Sequence, residues 1–455
     1  MGSAAEQLNP GWPVGPPGRP VSGNLRDLRE DRLGFFASCA RYGDFVPFRV
    51  KRRRVVFLSD PDFIETVVWR RADDYSKDYL TDLFHPVLRK HLLLSDVDSW
   101  LEQRRLAQPS LRPDRIADYA ETMASKTGEL AGAWSDGDQV DVASAMRRLT
   151  LEVLAATVFE VDVTAEAEDA GDIIDAVLED FNSRIGARAT VPFALPTPRN
   201  VRLVRALRRL DGMLDRLIDG RRAHANGHAA GREDLLTRLV AEPNGQGVPR
   251  DNQDVKLTAL PLFFAGHETT AMTLTWALYL LARHPEAQER AAAEVRRVLG
   301  ERTPGADELR TLPYLGNVVH EALRLYPPIW GFGRMAVRDS VIGPYHIPLG
   351  TTVFMSQWTL HRDARHFERP DAFEPDRWAD GLASRLPRCA YLPFGVGPRR
   401  CLGNTFALVE AAVVLATLVR RFRFEPVDGR EPAVDPVVTL RPRGPVQLRV
   451  HRRSG

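Results

Sequence analysis

The chain has 455 residues, 44% hydrophobic and 27% charged, with three cysteines and a formal net charge of +2. The apolar share is ample for a large core. A near-neutral balance with no dense basic stripe argues against a nucleic-acid-binding protein, and an odd, sparse cysteine set (Cys39, Cys389, Cys401) argues against a disulfide framework and fits a reducing cytosol.

Residues 1–24 read as an extended lead, because proline and glycine cannot sustain a helix. No basic region runs into an apolar one there, so no signal peptide is expected. The Pro/Gly-rich stretch from Pro10 to Gly18 leaves no room for a membrane anchor. No later run approaches the roughly 18 apolar residues of a membrane helix. A cytoplasmic monomer is the expectation. Residues 25–455 read as one domain, since no linker divides them.

A helix is expected over Asp31–Tyr42, then strands over Phe45–Val50 and Arg54–Leu58, from their clustered Val and Phe. From about residue 60 to 330 the periodicity is mostly helical, with breaks at 192–198, 226–231, 243–247 and 300–305. Short strands follow at Val337–Ile342, His346–Pro348 and Thr351–Met355, then a helix over Leu402–Arg421. Val437–Leu440 and Val446–Val450 are expected to form a terminal hairpin. The pattern predicts a predominantly α fold with a minor β portion.

Four segments carry chemistry. Trp100 and Arg104 lie four apart, on one helix face, where they form a cation–π pair or offer a cation to an acidic ligand. A long helical pattern from about Asp251 to His284 holds Ala265-Gly266-His267-Glu268-Thr269-Thr270. Taken alone, Thr269 bonds back to the carbonyl of Ala265 and Glu268 is an ordinary helix glutamate. Pro261 is expected to kink this helix, which leaves the placement of residues before Leu262 open. Glu321 and Arg324, at i and i+3, pair on one face; on a surface such a pair contributes about 0–1 kcal/mol. Cys401 closes the run Phe394-Gly395-Val396-Gly397-Pro398-Arg399-Arg400-Cys401-Leu402-Gly403. Glycines there allow a tight backbone that presents a sulfur, and the arginines favour its thiolate. A lone cysteine is otherwise a buried, inert thiol.

The pattern Phe-x-x-Gly-x-Arg-x-Cys-x-Gly, complete at Phe394, Gly397, Arg399, Cys401 and Gly403, resembles the heme-binding loop of the cytochrome P-450 family. The resemblance implies that family's fold in a single large domain, of the soluble bacterial type. It implies heme b, with Cys401 as the axial ligand of the iron and Phe394, Gly395, Arg399 and Gly403 around it. Thiolate ligation favours cleavage of the O–O bond. Ala265 to Thr270 resembles the oxygen-activating motif. Gly266 then clears space for dioxygen, Thr269 offers it a hydroxyl, and Glu268 supplies protons. His267, at a variable position of the motif, is not expected to bind iron. Glu321, Arg324 and Arg377 (in Phe373-Glu374-Pro375-Asp376-Arg377) resemble the network that locks the cysteine loop. Trp100, Arg104, Arg399 and Arg334 are implied to hold the heme propionates.

The chain shows no flavin or nicotinamide fingerprint and stops soon after a heme domain would end, so electrons are expected from a ferredoxin and its reductase. Arg104, Arg105, Arg399, Arg400, Arg420, Arg421 and Arg423 offer a basic patch for that partner, or only a solvated face. The substrate walls implied by the family fall on Tyr79, Leu80, Phe84, Phe181, Val191, Phe193, Phe264, Ile329, Trp330, Phe332 and Val438. Their apolar character suits an apolar small molecule, whether terpenoid, fatty acyl or polyketide, and each is equally readable as core. The expected reaction is oxygen insertion from dioxygen. The alternatives are a heme-thiolate enzyme that uses peroxide or rearranges a hydroperoxide, against which Glu268 and Thr269 argue, and a non-catalytic heme sensor. Zinc at Cys401 lacks companion ligands at zinc spacing.

Overall fold

A computed structural model describes residues 9–77, 97–162, 167–184, 191–225, 234–244, 247–306 and 310–453. Near the N-terminus, α1 (Leu25–Glu30) and α2 (Arg32–Cys39) are followed by β1 (Phe45–Val50), β2 (Arg53–Leu58) and β3 (Tyr75–Lys77). The helical body comprises α3 (Val97–Ala107), α4 (Pro113–Gly132), α5 (Val142–Thr157), α6 (Ala167–Arg184) and α7 (Pro198–Ala225), with β4 (Gln139–Asp141) between α4 and α5. It continues with α8 (Asn252–Arg283), α9 (Pro285–Leu299) and α10 (Pro313–Leu325). The chain then runs through β5 (Phe332–Ala336), β6 (Ser340–Ile342), β7 (Tyr345–Ile347), β8 (Thr352–Met355), α11 (Asn404–Arg421), β9 (Phe422–Pro426), β10 (Val434–Pro436), β11 (Leu440–Pro442) and β12 (Gln447–Arg452). The result is one mostly helical domain with small sheets.

Local chemistry explains where α8 begins and ends. The Asp251 side chain accepts from Asp254 N at the start, and Pro285 opens the next helix, both common helix-boundary signals. The helix runs unbroken through Pro261, so no break falls before the site. It is buried nearly all round, with Trp276 at 0% exposure, as befits a helix through the middle of a large core. Each such large apolar side chain contributes about 1.5–3 kcal/mol on burial.

The main sheet has the order β1-β2-β8-β5-β3. Two expectations fail in this part of the chain. The run Val337–Ile342 is not one strand: β5 ends at Ala336 and β6 begins at Ser340. The Gly and Arg inside β5 hid its alternation. The terminal hairpin does not form either, because β11 pairs with β10 whereas β12 lies between β4 and β9. The segment before β11 is claimed from elsewhere: Trp330 Nε1 donates to Val437 O at 3.0 Å, and Leu440 N donates to Pro328 O at 2.8 Å. Among the described residues, no helix is long and apolar enough to cross a membrane.

Candidate active site

A cavity of about 1500 Å³ opens between α8, the main sheet, the cysteine loop and the segment before β11. Cys401 lies on its wall, and its side chain is exposed to that space. The loop is folded by its own backbone: Cys401 N donates to Phe394 O at 2.9 Å and Arg400 N to Gly397 O at 3.1 Å. Gly397 is obligatory twice over. Its φ is +74°, and a Cβ there would sit 2.1 Å from Val68 O. Gly395, at φ +66°, has the opposite surroundings, since a Cβ would meet nothing within 4 Å.

Protein encloses Cys401 on every side but the cavity, and this burial pushes its thiol up. The Gly403 N–H and the charges of Arg104 and Arg400 act the other way. The arginines thus have the expected sign but do not outweigh desolvation. A coordinated metal ion would, since it deprotonates a thiol outright.

Cations gather along one edge of the cavity. Trp100 is buried with two guanidinium groups over its ring, Arg399 at 4.7 Å and Arg104 at 5.3 Å from its centre. Arg104 also donates to Arg400 O at 2.9 Å, which ties α3 to the cysteine loop. Arg334 lies over Phe332 at 5.0 Å and pairs across the sheet with Lys77. Lys77 lines the same cavity and was not singled out in the sequence, because only the β3–β5 register brings it there. A thiol facing open space, a glycine with room beside it, and this cationic edge fit a flat, dianionic ring ligated from one face.

Across the cavity, α8 contributes Ala265, Gly266, Glu268 and Thr269 to the lining. Thr269 Oγ1 donates back to Ala265 O at 2.6 Å, and Thr270 Oγ1 to Gly266 O at 3.0 Å. Gly266 also has a packing role: a Cβ there would lie 2.9 Å from Leu154 Cδ2, so the glycine lets α5 pack closely against α8. His267 is buried and donates from Nδ1 to Phe263 O at 2.7 Å. Desolvation lowers its pKa, which keeps it neutral.

Glu268 is not an ordinary helix glutamate. Its buried Oε1 accepts from Arg441 Nε at 2.6 Å and from Thr439 Oγ1 at 3.2 Å. Neither partner was foreseen, and neither has a local signal, being more than 170 residues away in the chain. Phe181, Phe264, Ile329, Trp330, Phe332 and Val438 all line the cavity. Val191 and Phe193 do not: Val191 is 45% exposed, and Phe193 stacks under Arg184 at 3.7 Å. Tyr79, Leu80 and Phe84 lie outside the described residues.

The expected lock is assembled. Glu321 and Arg324 are both fully buried and share two hydrogen bonds of 2.8 Å. Arg377 Nε and Glu374 N also donate to Glu321 Oε1, each at 2.9 Å, and Trp378 Nε1 donates to Oε2 at 2.9 Å. Arg324 Nη1 reaches His361 O at 2.9 Å, and His361 Nε2 accepts from Leu392 N at 3.0 Å. Leu392 in turn accepts from Gly395 N at 3.0 Å, so the network ends inside the cysteine loop. The proposed basic patch does not hold together. Arg420 and Arg421 close α11 and Arg423 follows on β9, about 25 Å from the start of α11 at 1.5 Å per residue, and they bind Gly300 O, Gly128 O and Glu425 there. Arg105 and Arg400 remain exposed near the cysteine.

A long helix and a cysteine loop that line one cavity, with arginines among its walls, define the site of a heme-thiolate protein. Residues 13–450 match the family model described as Cytochrome P450, and the chain belongs to that family. It is a heme-thiolate monooxygenase whose cofactor is heme b. It is 34% identical to cyclooctatin synthase of Streptomyces melanosporofaciens, over 96% of this chain and 94% of that one. It is 32% identical to cyclooctat-9-en-7-ol 5-monooxygenase of the same organism, over 92% and 91%. Pentalenene oxygenase of Streptomyces avermitilis is 29% identical, over 89% of each.

Proposed function

We propose that the enzyme inserts one oxygen atom of dioxygen into an apolar terpenoid, by hydroxylation or epoxidation. One observation carries the reading: Cys401, Thr269 and Glu268 face a single cavity whose other walls include Phe181, Phe264, Ile329, Trp330 and Val438. The relatives named for pentalenene and cyclooctat-9-en-7-ol favour a terpenoid over the fatty acyl and polyketide alternatives.

In this reading the sulfur of Cys401 would hold the heme iron. Phe394, Gly395 and Gly403 would shape the cradle, while Arg104, Arg334, Arg399 and Lys77, with Trp100 beside two of them, would hold the propionates. When bound, heme supplies the redox chemistry that splits the O–O bond, and thiolate ligation favours that cleavage. Thr269 orients a hydroxyl into the cavity, exchanging its bond to Ala265 for one to oxygen or water. Glu268 hands on protons, and the apolar walls keep bulk water out. Electrons come from a ferredoxin and its reductase, docking over exposed Arg105 and Arg400. The free cysteines Cys39 and Cys389 fit a reducing cytoplasm.

The test is a reduced, carbon monoxide-bound spectrum. The red-shifted Soret band of thiolate heme is expected in the wild type and lost in Cys401→Ala. Turnover with ferredoxin and reductase, on terpenes chosen by their low-to-high spin shift, then tests the reaction. Spin shifts with fatty acids alone would overturn the terpenoid reading.

A further inference from the structure

The group that holds Glu268 also holds the helix that roofs the cavity. Arg441 Nε donates to Glu268 Oε1, and Arg441 Nη1 donates to Asp175 Oδ1 at 2.5 Å. Asp175 lies on α6, whose Val177 and Phe181 line the cavity. One guanidinium therefore spans the acid on α8 and the wall above the substrate.

Two further observations show what this bridge constrains. Glu268 Oε2 and Arg441 Nη2 are both buried and have no hydrogen-bond partner among the described residues. The acid is thus pinned by one oxygen while the other stays unsatisfied, a costly arrangement in a buried site unless something is to be received there. The base of the bridge is rigid, because Leu440 N is bound to Pro328 O and Leu440 O accepts from Trp276 Nε1 at 3.0 Å. Asp175, by contrast, has a side chain 39% exposed, so the α6 end is the end that can give. Burial works against the charge of Arg441, but Glu268 and Asp175 more than offset it and hold the guanidinium above its ordinary value. Arg441 is therefore a fixed cation and not a proton carrier.

We propose that Arg441 is a positioning residue for Glu268 and that, through Asp175, it makes the setting of the acid depend on the seating of α6 over the substrate. The proposal rests on the reading of Glu268 as the proton-handling group. A substrate that lifts or settles α6 moves Asp175, draws Arg441 toward or away from Glu268, and so sets where the free Oε2 points. Proton supply is then matched to a filled cavity. The charged and titratable groups around the acid are Arg441 on β11, Asp175 on α6 and neutral His267 on α8, which itself feels the charge of Arg147 on α5.

The experiment measures product per electron pair in the heme-loaded enzyme with its ferredoxin and reductase, across pH and across a panel of spin-shifting substrates. Arg441→Gln is expected to lower this coupling roughly fivefold, with substrate dissociation constants changed by less than about twofold. Its coupling-against-pH curve is expected to differ from that of the wild type, because Glu268 loses the donor that fixes its Oε1. Arg441→Lys restores the wild-type curve. Asp175→Asn leaves the Glu268 bond in place, and the spread of coupling across the substrate panel narrows. If Arg441→Gln fails to load heme, Arg441→Lys and Asp175→Asn carry the test. An Arg441→Gln enzyme with the wild-type coupling and pH curve, or an Asp175→Asn enzyme with the wild-type spread, overturns the proposal. Glu268→Gln separates the two readings: full coupling there removes the acid itself, whereas lost coupling there with none lost in Arg441→Gln removes only the bridge.

Discussion

Glu321 and Glu268 are buried glutamates that each hold an arginine, and they are finished differently. Glu321 is completely buried, and both its oxygens are engaged, by Arg324, Arg377, Trp378 Nε1 and the Glu374 N–H. Glu268 is almost as buried, but among the described residues only Oε1 has partners. A fully satisfied buried network rigidifies what it touches; a half-satisfied one is tolerated where the free atom has work to do. The first glutamate ties to the cysteine loop through Arg324, His361 and Leu392, and the second faces the cavity that Cys401 also lines.

The contrast is sharpest if the lock is broken. Glu321→Ala leaves Arg324 buried without its partner, at a cost of about 3–5 kcal/mol, and is expected to abolish heme incorporation. A stable Glu321→Ala protein with a full heme complement would erase the distinction between the two glutamates. Gly266→Ala tests the packing that sets α8 against α5. Its Cβ would press on Leu154 at 2.9 Å, and overpacking of this kind costs about 1–3 kcal/mol. The double variant Gly266→Ala with Leu154→Ala should lose less stability than the two single variants summed. Simple additivity would mean that the contact with Leu154 is not what keeps the glycine small. Thr269→Ala should divert electrons to peroxide and lower product per electron pair about tenfold, or about 1.4 kcal/mol, with Thr269→Ser close to wild type. Unchanged coupling would leave the bond to Ala265 O as the only role of that hydroxyl.

What could be read in advance followed from spacing along the chain. The cysteine loop, Glu321 with Arg324, Trp100 with Arg104, and the limits of α8 are each set within about a dozen residues, by turn glycines, helix periodicity and caps. The network that completes each site is not local. Arg441 and Thr439 reach Glu268 only because Trp330, Trp276 and Pro328 hold their segment in place, and those same contacts displaced the expected terminal hairpin. Lys77 depends on strand register, and Trp378 and His361 on how the lock folds back on α10. Gly266 was legible as a glycine that must stay small, but the neighbour it makes room for, Leu154, lies on another helix. Pairing by charge also misled: Arg420, Arg421 and Arg423 look like one patch with Arg400 only until the length of α11 is counted.

The smallest expected effect concerns the link between lock and loop. His361 is fully buried, and desolvation, helped by the charges of Arg324 and Arg362, pushes it down to about 3. It stays neutral in the fold, with Nε2 accepting from Leu392 N. An unfolded chain binds a proton at that histidine below about pH 6.5, and the folded one does not until near pH 3. The contribution is therefore whole above pH 6.5 and is lost as pH falls, at about 1.4 kcal/mol per unit. Near pH 6 that is less than about 1 kcal/mol. His361→Gln keeps an acceptor for Leu392 N and cannot titrate. Denaturant unfolding of the two proteins between pH 7.5 and 5 should therefore show the wild type losing stability faster below about pH 6.5. Parallel slopes would mean that the histidine is reached by water in the fold, and that the lock is joined to the cysteine loop less tightly than the bond to Leu392 implies.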